Sequence, residues 1–374
     1  MTTAGGVRIV IAGGGTGGHL FPGIAVAREI LSRDPEAGIV FVGTARGIEA
    51  RVVPQAGLRL ELIRSAGLKG KSIAALLKGV LLLPASGWDA WRVLSRVRPH
   101  LVIGVGGYSS GPVVAIAAVR GIPTMVLEQN AVPGLTNRLL ARIVKAAAVT
   151  YESTLTYFGE RGFVSGNPVR PEFVARAAQS APTGARHDDS GAGRRVLIFG
   201  GSQGAHAINV AMVEAAAELA SHAGRLSITH QTGERDLAFV RDGYRRAGLT
   251  ARVEPFIFEM DVEMTDADVV ICRAGATTLA ELTAAARPAI LIPLPTATDD
   301  HQRKNAQVLA EAGAAEVIDE RGLTGKALAA RLLALVADTR RRAAMSDRAR
   351  RFARPEAARV IAERALALAS ARAQ

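Results

Sequence analysis

Residues 13–19 read Gly-Gly-Gly-Thr-Gly-Gly-His and follow a short run rich in Val and Ile, Val7 to Ile11. Glycines there permit positive φ and let a ligand approach the backbone, while the unpaired N–H groups of a helix start attract anions. A phosphate, or negative charge developing in a reaction, is the guest such a turn expects. Gly13, Gly15 and Gly18 also fit G-x-G-x-x-G, a weak signal alone because many glycine turns only close a strand–helix unit. Comparable turns recur. A strand over Leu101 to Gly107 ends in glycines before Tyr108, Ser109, Ser110, Gly111 and Pro112 open a helix, and Gly200-Gly201-Ser202-Gln203-Gly204-Ala205 follows a strand in the second half.

Two later stretches add side-chain chemistry. Arg273 to Glu281 reads RAGATTLAE between a strand and a helix, so its amides can hold a phosphate or a sugar hydroxyl. Glu281 lies one turn past Thr277 on the same face, where a carboxylate can accept two hydrogen bonds from a ribose diol; a salt-bridging surface role stays open. Asp299 to Asn305 opens another helix, with His301 and Asn305 four apart and Gln302 beside them. Those neutral groups suit sugar hydroxyls, and the spacing is not a zinc pattern.

The elements that must position these groups alternate between strand and helix. Helical patterns at Gly23 to Leu31 and Ile208 to Leu219 follow the first and last glycine turns. Strands are expected at Ile39 to Val42, Thr124 to Leu127, Val196 to Phe199, Leu226 to His230, Arg252 to Glu254, Val269 to Ile271, Ala289 to Ile292 and Ala315 to Ile318. The second strand ends in Gly43 and Thr44, where a dinucleotide-binding unit usually carries an acid for the ribose; its absence counts against NAD. Glu128, Gln129 and Asn130 close the Thr124 strand, at the edge where open α/β sheets place their ligands. Residues 175–193 are rich in Ala, Ser, Gly and Pro, lack apolar periodicity and read as a linker or exposed loop. The expected fold is α/β with two doubly wound Rossmann-like domains facing a central cleft. Residues 1–172 form the first domain, 355–374 return to it as a helix, 173–193 connect, and 194–354 form the second.

Composition agrees with that class. Hydrophobic residues make up 49% and aromatics 4% of the 374 residues, the balance of helices covering buried strands. The single cysteine, Cys272, excludes an internal disulfide and a cysteine-based zinc site. Lys plus Arg exceed Asp plus Glu by 46 to 34, a charge that suits anionic lipid or phosphorylated substrates, although much of the excess is Arg scattered over helices. No basic tail or stacked aromatic motif marks a nucleic-acid binder. No signal peptide fits the first residues, and no apolar run reaches the roughly 20 residues of a membrane span.

One stretch could still meet a membrane surface. In Lys69 to Trp91, Ile73, Leu76, Leu77, Val80 and Leu81 share a helical face, with Lys69, Lys71 and Lys78 nearby and Trp88 and Trp91 following. Core packing is one reading; an interfacial patch dipping into anionic lipid is the other. Arg138, Arg142 and Lys145 form a basic stripe that would flank such a surface or simply face solvent.

Taken in order, GGGTGGH (13–19), GVGGYSSGP (104–112), EQNAVPGLTN (128–137), GNPVR (166–170), GGSQGA (200–205), CRAGATTLAEL (272–282) and DDHQRKNA (299–306) resemble the motifs of the MurG family, and the match spans nearly the whole chain. That resemblance implies a peripheral-membrane enzyme of glycosyltransferase-B fold that adds N-acetylglucosamine to lipid-linked muramyl-pentapeptide in peptidoglycan synthesis. The lipid acceptor would lie on the first domain and the UDP-sugar mainly on the second. Carried over, it puts Thr16, Gly17, Gly18, Asn130, Arg170, Ser202, Ile257, Ala276, Thr277, Thr278, Leu279, Ala280, Glu281 and Gln302 at the donor. Arg170 and Ser202 would meet the diphosphate, Glu281 the ribose, Ile257 the uracil, and Asn130 with Gln302 the sugar. Gly106, Gly107, Tyr108, Asn137, His301 and Asn305 are candidates for acceptor or sugar contacts. In PFIFEM (255–260) Phe258 replaces the family's usual acid, so only a backbone role of Ile257 transfers, and 175–193 exceeds the family's short connection.

The chemistry implied is an inverting displacement: the acceptor's 4-hydroxyl attacks the anomeric carbon of UDP-α-N-acetylglucosamine and gives a β-1,4 linkage. Loop amides, a helix N-terminus and Arg170 would neutralise the departing UDP, so no metal and no cofactor is expected, and no Asp-x-Asp triplet stands out. His19, at the mouth of the first loop, is the leading general base because imidazole titrates near neutral pH; a structural role in that loop is the alternative. Expected partners are UDP-N-acetylglucosamine, the undecaprenyl-linked acceptor, an anionic membrane surface at the cytoplasmic face of the inner membrane, and other cell-wall synthesis or division proteins. Three rivals stay open: a UDP-sugar 2-epimerase, a nicotinamide oxidoreductase, and a non-catalytic sugar-nucleotide binder.

Overall fold

A computed structural model describes residues 6–65, 81–179, 193–201 and 203–373. The chain forms two compact units, one of residues Met1–Arg170 with Arg354–Gln374, the other of Pro171–Ala353.

The first unit is built on a seven-stranded parallel sheet of order β3-β2-β1-β4-β5-β6-β7. Its strands are β1 (Arg8–Gly13), β2 (Gly38–Gly43), β3 (Arg59–Leu62), β4 (Leu101–Gly106), β5 (Thr124–Glu128), β6 (Ala146–Val149) and β7 (Gly162–Val164). Helices α1 (Gly17–Arg33), α2 (Glu49–Gln55), α3 (Leu83–Val97), α4 (Ser110–Val119) and α5 (Leu135–Leu140) connect them. Successive strand residues face opposite sides of a sheet, and β1 shows the consequence. Ile9 and Ile11 enter a core shared with Leu20, Ile24, Ile361 and Ala365, whereas Val10 and Ala12 enter one shared with Val93, Leu94 and Val114. A strand covered on both faces has no polar side to expose, hence its unbroken apolar run. The C-terminal helix, Ala357–Ala373, packs on α1 and supplies Ile361, Ala362, Ala365 and Ala369 to the first of these cores.

The second unit repeats the plan with six parallel strands in the order β10-β9-β8-β11-β12-β13. These are β8 (Arg194–Phe199), β9 (Leu226–Gln231), β10 (Ala251–Glu254), β11 (Val269–Cys272), β12 (Ala289–Leu291) and β13 (Ala315–Val317). The helices are α6 (Pro171–Gln179), α7 (His206–Ala220), α8 (Leu237–Ala247), α9 (Met260–Asp266), α10 (Ala276–Ala284), α11 (His301–Glu311), α12 (Gly325–Ala337) and α13 (Thr339–Arg350). In both sheets the strand order reverses beside the first strand. Open α/β sheets bind ligands outside the carboxyl ends of strands at that reversal. The loops after β1 and β4, and those after β8 and β11, lie there.

Several sequence expectations need amendment. The presumed start of the linker is a helix: α6 carries Phe173 into the core and packs on α9 and α10, and residues 180–192 lie outside the described residues. Its one buried aromatic is too sparse a signal for a periodicity argument. The stripe Arg138, Arg142 and Lys145 is exposed, but only Arg138 belongs to a helix, because α5 ends at Leu140. Strands β3, β6 and β7 escaped the sequence reading; β3 is half-exposed at the sheet edge and β6 reads Ala-Ala-Ala-Val, with no β-branched run to mark it. Ile73, Leu77 and Val80 fall outside the described residues. Leu81 is 78% and Trp88 61% exposed, and Leu83 and Trp91 are exposed as well, so these side chains face away from the core that Ser86 and Ala90 of the same helix enter. Among the described residues no helix is long and apolar enough to cross a membrane.

Candidate active site

In the first unit the glycine turn after β1 is wedged against the turn after β4. Gly14 N–H donates to Gly106 O at 3.2 Å, and Gly107, at φ +82°, lies so close that a Cβ would come within 2.3 Å of Gly14 O. Only glycine fits there. Thr16 takes extended backbone geometry and caps α1 through its carbonyl, which accepts from His19 N–H and Leu20 N–H, so Gly17 and Gly18 form the first turn. Thr16 is exposed and Gly17, Gly18 and His19 are half-buried. Gln129 Nε2 donates to Val105 O at 3.1 Å, which turns Gln129 Oε1 toward His19 Nδ1 at 3.3 Å. An amide oxygen there puts the imidazole proton on Nδ1 and the lone pair on Nε2, the form a general base requires.

A residue that sequence reasoning missed holds this turn. Glu49, at the start of α2 and 1% exposed, accepts from Gly15 N–H at 2.7 Å, Thr44 N–H at 2.9 Å and Thr44 Oγ1 at 3.0 Å. Burial pushes its carboxyl up, but these hydrogen bonds outweigh that and hold it below the ordinary glutamate value. The acid sought at Gly43 and Thr44 thus arrives five residues later and turns back on the protein's own loop. One amide of the expected anion site is already occupied by an internal carboxylate.

Glu128 plays a similar part after β5. Its two oxygens accept from Asn130 N–H, Asn130 Nδ2, Gly134 N–H and Asn137 Nδ2 at 2.9–3.1 Å, closing the 129–137 loop. Asn137 is buried and its Nδ2 also donates to Leu127 O, so that nitrogen holds the loop. Asn130 stays half-buried at the loop mouth and Tyr108 is exposed. Arg170 ends the first segment of this unit, half-buried beyond β7.

In the second unit the turn after β8 carries Gly201 and Gly204; Ser202 lies outside the described residues. Gly204, at φ +74°, abuts the chain after β9 so closely that a Cβ would stand 1.8 Å from Thr232 O. Helix α10 begins at Ala276 with Gly275 as its cap, whose carbonyl receives Leu279 N–H. The N–H groups of Ala276, Thr277 and Thr278 therefore fall in the first turn, where a helix has no internal acceptor for them. Thr277 Oγ1 is buried and has no hydrogen-bond partner among the described residues. Leu279 packs in the core and Ala280 lies deeper in the helix, so neither offers a side chain to a polar guest. Glu281, one turn in, is buried on the same helix.

Two glutamines stitch these loops together. Gln302 Oε1 accepts from Ala274 N–H at 3.2 Å and Leu294 N–H at 3.0 Å, joining the loops after β11 and β12 and leaving Nε2 as the group to donate. Gln231 joins the loops after β8 and β10: Nε2 donates to Gly201 O at 2.8 Å and Oε1 accepts Ile257 N–H at 2.8 Å. The buried Ile257 therefore has its carbonyl, not its N–H, to offer a base. Asn305 is buried and His301 lies 3.6 Å from Asp299. Asp299 and Asp300 both take left-handed geometry, at φ 55° and 58°, an unfavourable conformation for residues with a Cβ that is concentrated just before Gln302. Behind Gln231 the neighbouring His230 is buried, and desolvation lowers its pKa to about 3. Asn209 Nδ2 donates to Thr232 O and Asp236 Oδ2, so Asn209 Oδ1 faces His230 Nε2 and Tyr244 Oη faces Nδ1. His230 is thereby neutral with its proton on Nε2.

Two Rossmann-type units, each with glycine turns at the strand-order reversal, define the class of α/β glycosyltransferases and their nucleotide-sugar-binding kin. Profiles of the glycosyltransferase family 28 N-terminal and C-terminal domains match residues 9–149 and 195–362. The UDP-N-acetylglucosamine–N-acetylmuramyl-(pentapeptide) pyrophosphoryl-undecaprenol N-acetylglucosamine transferase of Anaeromyxobacter sp. (strain K) is 49% identical, over 96% of this chain and 92% of its own. The enzyme of the same name from Pelobacter propionicus is 48% identical, over 96% of this chain and 99% of its own. The crystal structure of Acinetobacter baumannii MurG superposes with a TM-score of 0.80 at 28% identity, covering 96% of this chain and 99% of that one. A Neisseria meningitidis UDP-GlcNAc 2-epimerase bound to UDP-GlcNAc reaches 0.66 at 12% identity over 95% of this chain and 98% of that one, a likeness of fold alone. The chain belongs to glycosyltransferase family 28, among its MurG members.

Proposed function

We propose that this chain transfers N-acetylglucosamine from UDP-N-acetylglucosamine to the 4-hydroxyl of undecaprenyl-pyrophosphoryl muramyl-pentapeptide, with inversion at the anomeric carbon. The observation that carries the reading is the second unit's ring of loops. A glycine turn, a backbone carbonyl at Ile257, the open first turn of α10 with Thr277 and Glu281, and Gln302 Nε2 all stand at the carboxyl edge of one sheet. These groups match diphosphate, uracil, ribose and sugar in turn. Arg170 adds charge for the leaving UDP, and His19 Nε2 takes the acceptor's proton. The reaction so drawn needs no metal or cofactor, because donors and a guanidinium meet the developing charge. Incubating the protein with lipid-linked muramyl-pentapeptide and UDP-N-acetylglucosamine should add one N-acetylhexosamine to the acceptor by mass spectrometry. Conversion of the UDP-sugar to its epimer without acceptor would replace this reading by an epimerase.

The acceptor's lipid places the reaction at a membrane surface, which we take to be the cytoplasmic face of the inner membrane. Support comes from Leu81, Leu83, Trp88 and Trp91, exposed at and just before the first half of α3, and from the basic residues Arg138 and Arg142 of the same unit, which also face solvent. Co-sedimentation with vesicles containing anionic lipid should weaken in Trp88→Ser; binding that survives this change and that of Leu81 would place the membrane contact elsewhere.

A further inference from the structure

The sheet order of the second unit places β9 between β8 and β10, so a side chain at the end of β9 can reach the loops that follow both neighbours. Gln231 is that end residue, 2% exposed, and it contacts Gly201 on one side and Ile257 on the other. The polarity of the two contacts is fixed by the backbone, a carbonyl at Gly201 and an N–H at Ile257. A neutral amide serves both at once; an ionised glutamate of the same length serves only Ile257, and methionine serves neither.

We propose that Gln231 is a positioning residue for the donor, which ties the diphosphate loop to the uracil-facing segment so that base and diphosphate are bound as one unit. The inference rests on the donor reading above and names a buried residue whose amide is engaged on both sides by the protein's own backbone. Its reach is local: with the amide gone, Gly201 O and Ile257 N–H lose their shared partner and each loop settles independently. The nucleotide then meets two surfaces no longer set at the spacing of uridine and diphosphate. His230, buried and neutral behind it, holds the end of β9 through Asn209 and Tyr244, which keeps Gln231 in register.

The test is steady-state kinetics of full-length Gln231→Met with UDP-N-acetylglucosamine and lipid-linked acceptor, after thermal melting shows the variant folded. The KM for UDP-N-acetylglucosamine should rise about tenfold, the scale of one buried N–H, that of Ile257, left without its acceptor while the half-buried Gly201 O keeps Gly204 N–H, with kcat at saturating donor and the acceptor KM unchanged. A donor KM equal to that of the parent protein, or donor and acceptor constants worsening together, overturns the proposal. A second measurement uses the unaltered protein, in case the variant does not fold. Inorganic pyrophosphate alone should slow amide hydrogen exchange across residues 255–258 as well as 199–205; protection confined to 199–205 likewise overturns it. Failure of the unaltered protein to bind UDP would instead defeat the donor reading and this inference with it, whereas normal UDP binding with an indifferent variant defeats the inference alone.

Discussion

The glycine turns after β1 and after β8 occupy equivalent places in two sheets of the same design, yet each is braced by opposite chemistry. The first is held by an anion: Glu49 takes the N–H of Gly15, together with both donors of Thr44. The second is held by a neutral amide that donates to a carbonyl, Gly201 O, which also accepts the turn's own Gly204 N–H, and no carboxylate takes an N–H of Gly201 or Gly204 among the described residues. A loop meant to receive a diphosphate gains from keeping its N–H groups for the guest and loses from a buried carboxylate beside them. A loop meant to present an imidazole gains from being fixed by the protein itself. On the function proposed above, the difference fits a nucleotide cradle in the second unit and a scaffold for His19 in the first.

The widest break in that comparison should come from His19→Ala. Loss of a positioned general base typically costs roughly a hundred- to ten-thousand-fold, so kcat should fall on that scale while UDP affinity, measured by calorimetry, stays near the parent value. Unchanged turnover would return His19 to a purely structural role. Next is Glu49→Ala, which takes the buried carboxylate away from the exposed Gly15 and half-buried Thr44 donors, a loss of about 1.5–3 kcal/mol, the scale of hydrogen bonds to a charged group. We expect turnover to drop about tenfold with UDP affinity unaffected, and Glu49→Gln to recover only part of it, since one end of the amide must face an N–H. A fall in UDP affinity equal to the fall in turnover would erase the distinction between the two loops. Smaller still is Thr277→Val, which removes a buried hydroxyl with no partner among the described residues. UDP-sugar binding should weaken by about tenfold or less while folding stability holds or rises; unchanged binding would take Thr277 out of the donor site.

How much of this was readable beforehand follows the same division. The strands and glycine turns were legible because a doubly covered strand must be apolar throughout and a turn that abuts backbone must be glycine, both one-residue signals. The order of motifs then pointed to the family that the comparisons show. What sequence could not disclose is where side chains turn. Glu49 looks like any acid at the start of a helix, Asn137 like a polar loop residue, and Gln231 like the polar end of a strand. Each is defined by a partner far away in the chain: 34 residues for Glu49 and Gly15, 26 and 30 for the two contacts of Gln231. Such pairings depend on which strands are neighbours, and no local pattern records that. The helix over Pro171–Gln179 was missed for a related reason, its burial resting chiefly on Phe173.

Near neutrality the least effect falls on stability, where the two braces should part company with pH. His230 binds its proton far less readily folded than unfolded, its pKa lowered by burial from 6.5 to about 3. The folded state then carries fewer protons than the unfolded state between those values, so stability is full above about pH 6.5 and declines as pH falls, by up to about 1.4 kcal/mol per unit. Glu49 is shifted the same way but from 4.5, so its contribution is intact above that value and is lost only as pH falls through its lower folded value. The brace behind the nucleotide cradle should therefore loosen first on acidification, and that of the His19 scaffold later. Amide exchange measured between pH 7 and pH 4 should show residues 199–205 and 230–236 losing protection at higher pH than residues 13–19 and 44–49. His230→Gln, which keeps a donor for Asn209 without a titrating ring, should remove the earlier loss. Simultaneous loss in both regions would mean that neither brace sets the stability of its own loop.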